Sequence, residues 1–273
     1  MDFNKFWILN KLKLNDYLTS IPNSYWTLPL LFKPIYNKPY NIFDIINFNN
    51  IYSSISVYGS PCFKWNSGRT GELDLSLDLI ELNINQFNRV GISCYLTFTS
   101  YWLVYKDLQD KLGNSLLEIL NASSVKYNIS NGIILSSDVL YNHIYKKYPK
   151  LKLKCSLIKS VYENTSHSID WYSHMLDLYD IVVSHVDCPI NILNKLSYEN
   201  KARIEILVNE TCIRNCPNRQ TCYKEQKDFS NIKSPNCKKQ NTSIPDNERC
   251  YMSLDEILLL TTMGFSRFKI QGR

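Results

Sequence analysis

Five of the nine cysteines, Cys212, Cys216, Cys222, Cys237 and Cys250, lie between positions 212 and 250, directly after the apolar run I-E-I-L-V. Thiols that converge from irregular backbone at the end of a buried strand suit a soft metal or an iron-sulfur cluster, which needs several thiolates at one point. The spacing, C-x3-C followed by C-x5-C, is not the C-x2-C pair of a zinc ribbon. On spacing alone a 4Fe-4S cluster and a structural four-cysteine zinc site stand level. Cys62, Cys94, Cys155 and Cys188 are single; three sit in apolar or strand contexts and read as inert buried thiols, and Cys62 stands on a strand-end loop.

The elements that must position this cluster alternate. Short β-branched or aromatic runs at 54–59, 92–99, 132–136, 152–158, 181–185, 203–208 and 267–271 read as strands. Helical spacing fills the intervals at 73–88, 106–120, 139–148, 168–178, 190–198 and 253–263, and Gly264 supplies the stop of the last. Repeated strand-helix-strand units imply a parallel sheet with helical crossovers. The predicted fold class is α/β, a TIM-like (β/α) barrel, complete or missing a strand. An open doubly wound sheet is the alternative, but its G-x-G-x-x-G turn is missing. Residues 1–50, broken by Pro29, Pro34 and Pro39, read as an N-terminal extension packing on the barrel. Residues 51–273 then form the barrel domain, with a Cys-rich metal-binding loop at 209–252.

A barrel carries its chemistry on the loops after the C-terminal ends of its strands. Those ends are polar here. Asn66 and Arg69 follow the first predicted strand, Thr97 and Thr99 the second, and Ser136, Ser137 and Asp138 the third. Ser156 and Lys159 come next, then His185 and Asp187, then Asn209 and Glu210, and finally Lys269 and Arg273. Asp138 also stands where a helix cap is expected. Asn66, Arg69, Lys269 and Arg273 are the candidate substrate-binding groups; the three cations suit a phosphate or carboxylate. His185, Asp187 and Glu210 are the candidate catalytic groups, with His185 the one histidine placed to act as a general base. No G-x-S-x-G elbow or H-E-x-x-H helix is present.

Composition excludes some classes. The 273 residues, 44% hydrophobic, can bury one large core without disulfides. No stretch has the roughly 18 apolar residues of a membrane span, and no leader is evident. The expected compartment is the cytoplasm, where clustered thiols act as ligands rather than bridges. A net charge of +6 is spread along the chain apart from the basic segment 224–239, so charge alone does not indicate nucleic acid.

The segments V-N-E-T-C-I-R-N-C-P-N-R and M-S-L-D-E-I-L-L-L-T-T-M-G-F-S-R-F-K-I-Q-G-R resemble the core of the U32 collagenase-like peptidase family, and S-V-Y-G-S-P-C-F-K-W-N-S-G-R is similar to its first-strand loop. The resemblance is to a divergent, C-terminally short version of the family, with Gln271 where the family's K-I-E-G-R signature has glutamate. The resemblance implies a barrel and, from the family's redox members, a 4Fe-4S cluster used for oxygen-independent hydroxylation of an RNA base or a quinone-like small molecule. It implies Cys212, Cys216, Cys237 and Cys250 as ligands, with Cys222 the alternative to Cys237. The alternative functions are a U32-type peptidase and a non-catalytic binding protein stapled by zinc. A protein partner or a homodimer is compatible with either.

Overall fold

The computed structural model describes residues 21, 23–32, 55–61, 63–66, 75–165, 167–225 and 249–271. Eight parallel strands close a barrel in the order β1, β10, β7, β6, β5, β4, β3, β2. They are β1 (Tyr25–Leu28), β2 (Ile55–Gly59), β3 (Ser93–Phe98), β4 (Gly132–Leu135), β5 (Lys152–Cys155), β6 (Ile181–Val183), β7 (Ile204–Leu207) and β10 (Arg267–Lys269). A separate antiparallel ribbon pairs β8 (Asn209–Ile213) with β9 (Arg249–Tyr251). The helices are α1 (Leu77–Arg89), α2 (Lys111–Tyr127), α3 (Asp138–Lys147), α4 (Leu157–Tyr162), α5 (Ile169–Leu178), α6 (Ile190–Leu193), α7 (Tyr198–Lys201), α8 (Arg219–Glu225) and α9 (Leu254–Thr262). Among the described residues, no helix is long and apolar enough to cross a membrane.

The barrel is thus complete. One boundary needs correction: the segment 1–50 is not merely an extension, because its residues 25–28 form β1, which closes the barrel between β10 and β2. Two predicted elements also divide. The run 152–158 is strand only to Cys155, after which Ser156 caps α4, and 190–198 yields the start of two short helices, α6 and α7.

Strand alternation separates two environments. Outward residues, among them Trp26, Val57, Leu96, Phe98, Ile133 and Phe268, are fully or almost fully buried under the helices and form the main core. Each such side chain contributes about 1.5–3 kcal/mol on burial. Helix starts are set by serine caps, at the strand ends for Ser137 and Ser156, after α4 for Ser168 and after the ribbon for Ser253; each accepts a first-turn N–H. Ser253 and Glu256 form a reciprocal capping box, and α9 is followed by Gly264 at φ 98°.

Gly132 opens β4, where an added Cβ would meet the Lys152 carbonyl oxygen and the Tyr95 ring. Gly132→Ala is expected to lose about 1–3 kcal/mol of stability, read as a lowered thermal midpoint.

Candidate functional site

The barrel interior is charged. Register places Thr27 beside Ser56 and Lys269, Arg267 beside Glu205, and Lys154 beside Ile134 and Ile181, all on the inner face of the barrel. Lys154 Nζ lies 2.7 Å from Glu205 Oε1, and both side chains are fully buried. Thr27 donates to the same carboxylate oxygen at 2.6 Å and accepts from Lys154 at 3.0 Å. Burial alone would raise the Glu205 carboxyl, but Lys154, Lys269 and the hydrogen bonds from Lys154 and Thr27 outweigh it and hold it below the usual carboxylate range. Its second oxygen, Oε2, has no partner among the described residues.

Lys269 stands one layer nearer the C-terminal mouth, 8% exposed, with its Nζ 4.1 Å from the centroid of the Tyr58 ring. Burial, reinforced by the charge of Lys154 and opposed by Glu205, lowers its ammonium to about 8. Tyr58 is anchored in turn by its hydroxyl, which donates to the Ile270 carbonyl at 2.9 Å.

The ribbon β8–β9 rises from the same end, with Glu210 opposite Cys250. Asp187, just past β6, forms the hub beside it. Its carboxylate takes two bonds from Arg219, Nη2 at 2.8 Å and Nε at 3.0 Å, and accepts the Asn215 N–H at 2.9 Å. The Cys250 thiol lies 3.8 Å from Asp187 Oδ1, and Arg219 Nη2 lies 3.9 Å from Cys250 Sγ. Arg219 is 4% exposed. Burial works against its charge, yet Asp187, followed by Cys212, Tyr223 and Cys250, holds the guanidinium protonated. Its Nη1 has no acceptor among the described residues. Burial pushes the Cys250 thiol up to about 11, with Arg219 pulling the other way.

Glu210 is fully buried. It accepts the Cys212 N–H on Oε1 at 3.1 Å and the Gln271 side-chain amide on Oε2 at 2.7 Å. A glutamate at 271 would set two carboxylates against each other; glutamine supplies a donor instead. Asn209 clamps the chain after β10, exchanging hydrogen bonds with the Gln271 backbone at 3.0 and 2.6 Å.

The ring of His185 is oriented by its neighbour: Nδ1 accepts the Asp187 N–H at 3.1 Å. Burial lowers the imidazole to about 4, partly offset by Asp187. The neutral ring therefore carries its proton on Nε2 and is set to donate a hydrogen bond rather than to take up a proton. Asp187 is itself engaged by Arg219.

The structure thus places Cys250 against Asp187 and Cys212 against Glu210 at the ribbon, with Cys216 following Asn215 in the turn tied to Asp187, and His185 and Lys269 at the ends of β6 and β10. Cys222 stands apart: α8 packs on α4, where Tyr223 meets Ile158 and Val161, and Cys222 is buried within reach of Tyr162. Asn66 is buried and fixes its own loop, donating to the Pro61 carbonyl at 3.3 Å and accepting from Thr99 at 3.0 Å. Arg69, Cys237, Arg273 and Cys62 lie outside the described residues. Among those described, no three His, Cys, Asp or Glu side chains converge as a metal site.

Sequence reasoning missed Arg219, Lys154 and Glu205. A signal for the last two existed, since a charge at an alternating position inside a strand buried on both faces must have an internal partner. Lys159, read from sequence as a strand-end group, is 2% exposed and pairs with Asp138 and Glu163, each at 2.8 Å.

No family model and no curated protein matches the chain. Among solved structures it is similar to the U32 peptidase Mk0906, at 12% identity over 92% of this chain and 93% of that one, with a TM-score of 0.49.

Proposed function

We propose that this barrel is a cytoplasmic iron-sulfur enzyme of the U32 type, with a 4Fe-4S cluster held by Cys212, Cys216, Cys250 and Cys237. Its reaction in this reading is the oxygen-independent hydroxylation of an RNA base or a quinone-like small molecule at the C-terminal mouth. The observation that carries the reading is the surroundings of Arg219. Cys212 and Cys250, on facing strands, share this buried cation, whose Nη1 is without an acceptor among the described residues. A thiolate-bound, sulfide-rich group is anionic and accepts N–H bonds at sulfur, so the donors and the unused N–H suit it in kind. Cys216 lies in the turn that Asn215 ties to Asp187, whereas Cys222 faces α4 and is left out of the ligand set. The cluster would supply electron transfer. The protein's own groups supply the rest: the His185 Nε2–H and the Lys269 amine orient a polar substrate, and the ribbon excludes water from one side.

Iron, sulfide and zinc analysis of anaerobically purified protein tests this, with Cys212, Cys216, Cys222, Cys237 and Cys250 each changed to Ala. The expected result is about four irons and four sulfides per chain, lost in every variant except Cys222→Ala. One zinc without sulfide sinks the redox reading and leaves a zinc-stapled binding protein or a U32-type peptidase, which a peptide-hydrolysis assay separates.

A further inference from the structure

The barrel holds an amine that feels the field of Glu205 but makes no ion pair with it among the described residues. Lys269 closes β10, and its register partner Thr27 belongs to the hydrogen-bonded cluster on the axis. The one carboxylate of that layer, Glu205, is already committed through Oε1 to Lys154 and Thr27. Among the described residues, Lys269 Nζ has no hydrogen-bond acceptor; it rests on the face of Tyr58 at 4.1 Å. An ordinary structural lysine at this depth would be paired. Here burial and a second ammonium act together, the combination that turns a lysine into a nucleophile at neutral pH. Its place, at the C-terminal end of a barrel strand, is where such groups meet substrate.

We infer that Lys269 is a catalytic amine that condenses with the aldehyde or ketone carbonyl of a small substrate entering at the barrel mouth. The neutral Nζ lone pair attacks the carbonyl carbon and forms the C–N bond. The carbonyl oxygen leaves as water, carrying the two protons of the amine, and the product is an imine. No oxidant or reductant is consumed. When the imine is protonated, its positive charge falls where the ammonium stood, over the Tyr58 ring and within the field of Glu205, so the site favours the activated iminium form. The titratable and charged groups that act on Nζ are Tyr58 from β2, Lys154 from β5 and Glu205 from β7. The burial of the amine in this company lowers it to about 8, which leaves a sizeable neutral fraction near neutral pH. This inference does not depend on the cluster: it concerns the axis of the barrel, and its test reads no metal.

The experiment is reductive trapping on the full chain. Native protein is mixed with limiting glyoxylate, reduced with borohydride, digested and mapped by mass spectrometry. The expected result is a carboxymethyl group on Lys269 at a rate about tenfold or more above the exposed Lys106 and Lys195. The absolute labelling of Lys269 should fall as pH is lowered from about 8.5 to 6.5, and its preference over the exposed lysines should vanish in urea-unfolded chain. Labelling of Lys269 no faster than Lys106 and Lys195, or a preference that survives unfolding, overturns the assignment. Because the wild-type peptide map decides the matter, the outcome does not hang on whether Lys269→Met folds.

Discussion

Glu205→Leu is expected to lose about 3–5 kcal/mol of folding stability, seen as a fall in the urea midpoint with little change in slope. The magnitude comes from what remains. Glu205 is the anion that Lys154 touches at 2.7 Å, and both side chains are fully buried. Without it, Lys154 and Lys269 share one dry compartment with no counter-charge. Each must then either stay charged at a desolvation cost or give up its proton on folding. The double variant Lys154→Met with Glu205→Leu should recover most of the loss, because a buried ion pair exchanged for apolar groups of similar volume is often neutral or better. The pH response identifies the cause. A lysine whose folded value is lowered binds fewer protons folded than unfolded between its two pKa values, so stability rises with pH across that window. For Lys269 in the natural chain the window opens at about 8 and closes near the unfolded lysine value of about 10.4. In Glu205→Leu it opens lower, and the deficit shrinks as pH approaches 10. A single variant within about 1 kcal/mol of the natural chain at pH 7 would show that the pair contributes nothing.

Asp187→Ala is the second large effect, and it should be local. Arg219 is buried to the same degree as a core residue, and a guanidinium cannot shed its proton as a lysine can. Removing the carboxylate abandons a permanent charge and also releases the Asn215 N–H. A broken buried pair of this kind costs about 3–5 kcal/mol. The cheapest relief is for the turn and the ribbon to open while the barrel stays closed. Limited proteolysis between residues 213 and 249 is therefore expected to speed up about a hundredfold, since cleavage follows the population of the open form. Amide protection in β8 and β9 should fall with it, and that in β4 and β5 should not. Equal loss of protection across all strands would mean that the hub supports the whole fold.

The barrel was legible because its strands are buried on both sides and read as apolar runs separated by helical spacing. What escaped was structure that only closure creates. Tyr25–Leu28 is four residues long and runs into Pro29, which argues against a strand; it is one because β10 and β2 need a partner between them. The ribbon was hidden for the opposite reason, since 203–208 runs into 209–213 without a break and β9 is a three-residue stretch far along the chain. At the mouth, the cysteines drew attention to the right place, but the organising groups are Asp187 and Arg219. Asp187 was visible as a strand-end carboxylate. Arg219 was one basic residue in a polar loop, and only the fold shows that it is buried and that Asp187 is its partner. Serines at the strand ends looked like mouth chemistry and turned out, at 137 and 156, to be helix caps.

Ile213 and Arg249 face each other across the ribbon, so the chain leaves the barrel and returns at nearly the same point. As a polymer, the interval between them is a loop already tied at its base, and the entropy of closing such a loop grows only with the logarithm of its length, about 0.6 kcal/mol for each doubling. Insertions and deletions between α8 and β9 cost the barrel little, whereas any that displace Arg219 from Asp187 cost more. Selection can therefore rewrite the cysteine-bearing stretch, in length and in ligand spacing, while the strands beneath stay under separate constraint. A fold arranged in this way can change what it holds faster than it changes what it is.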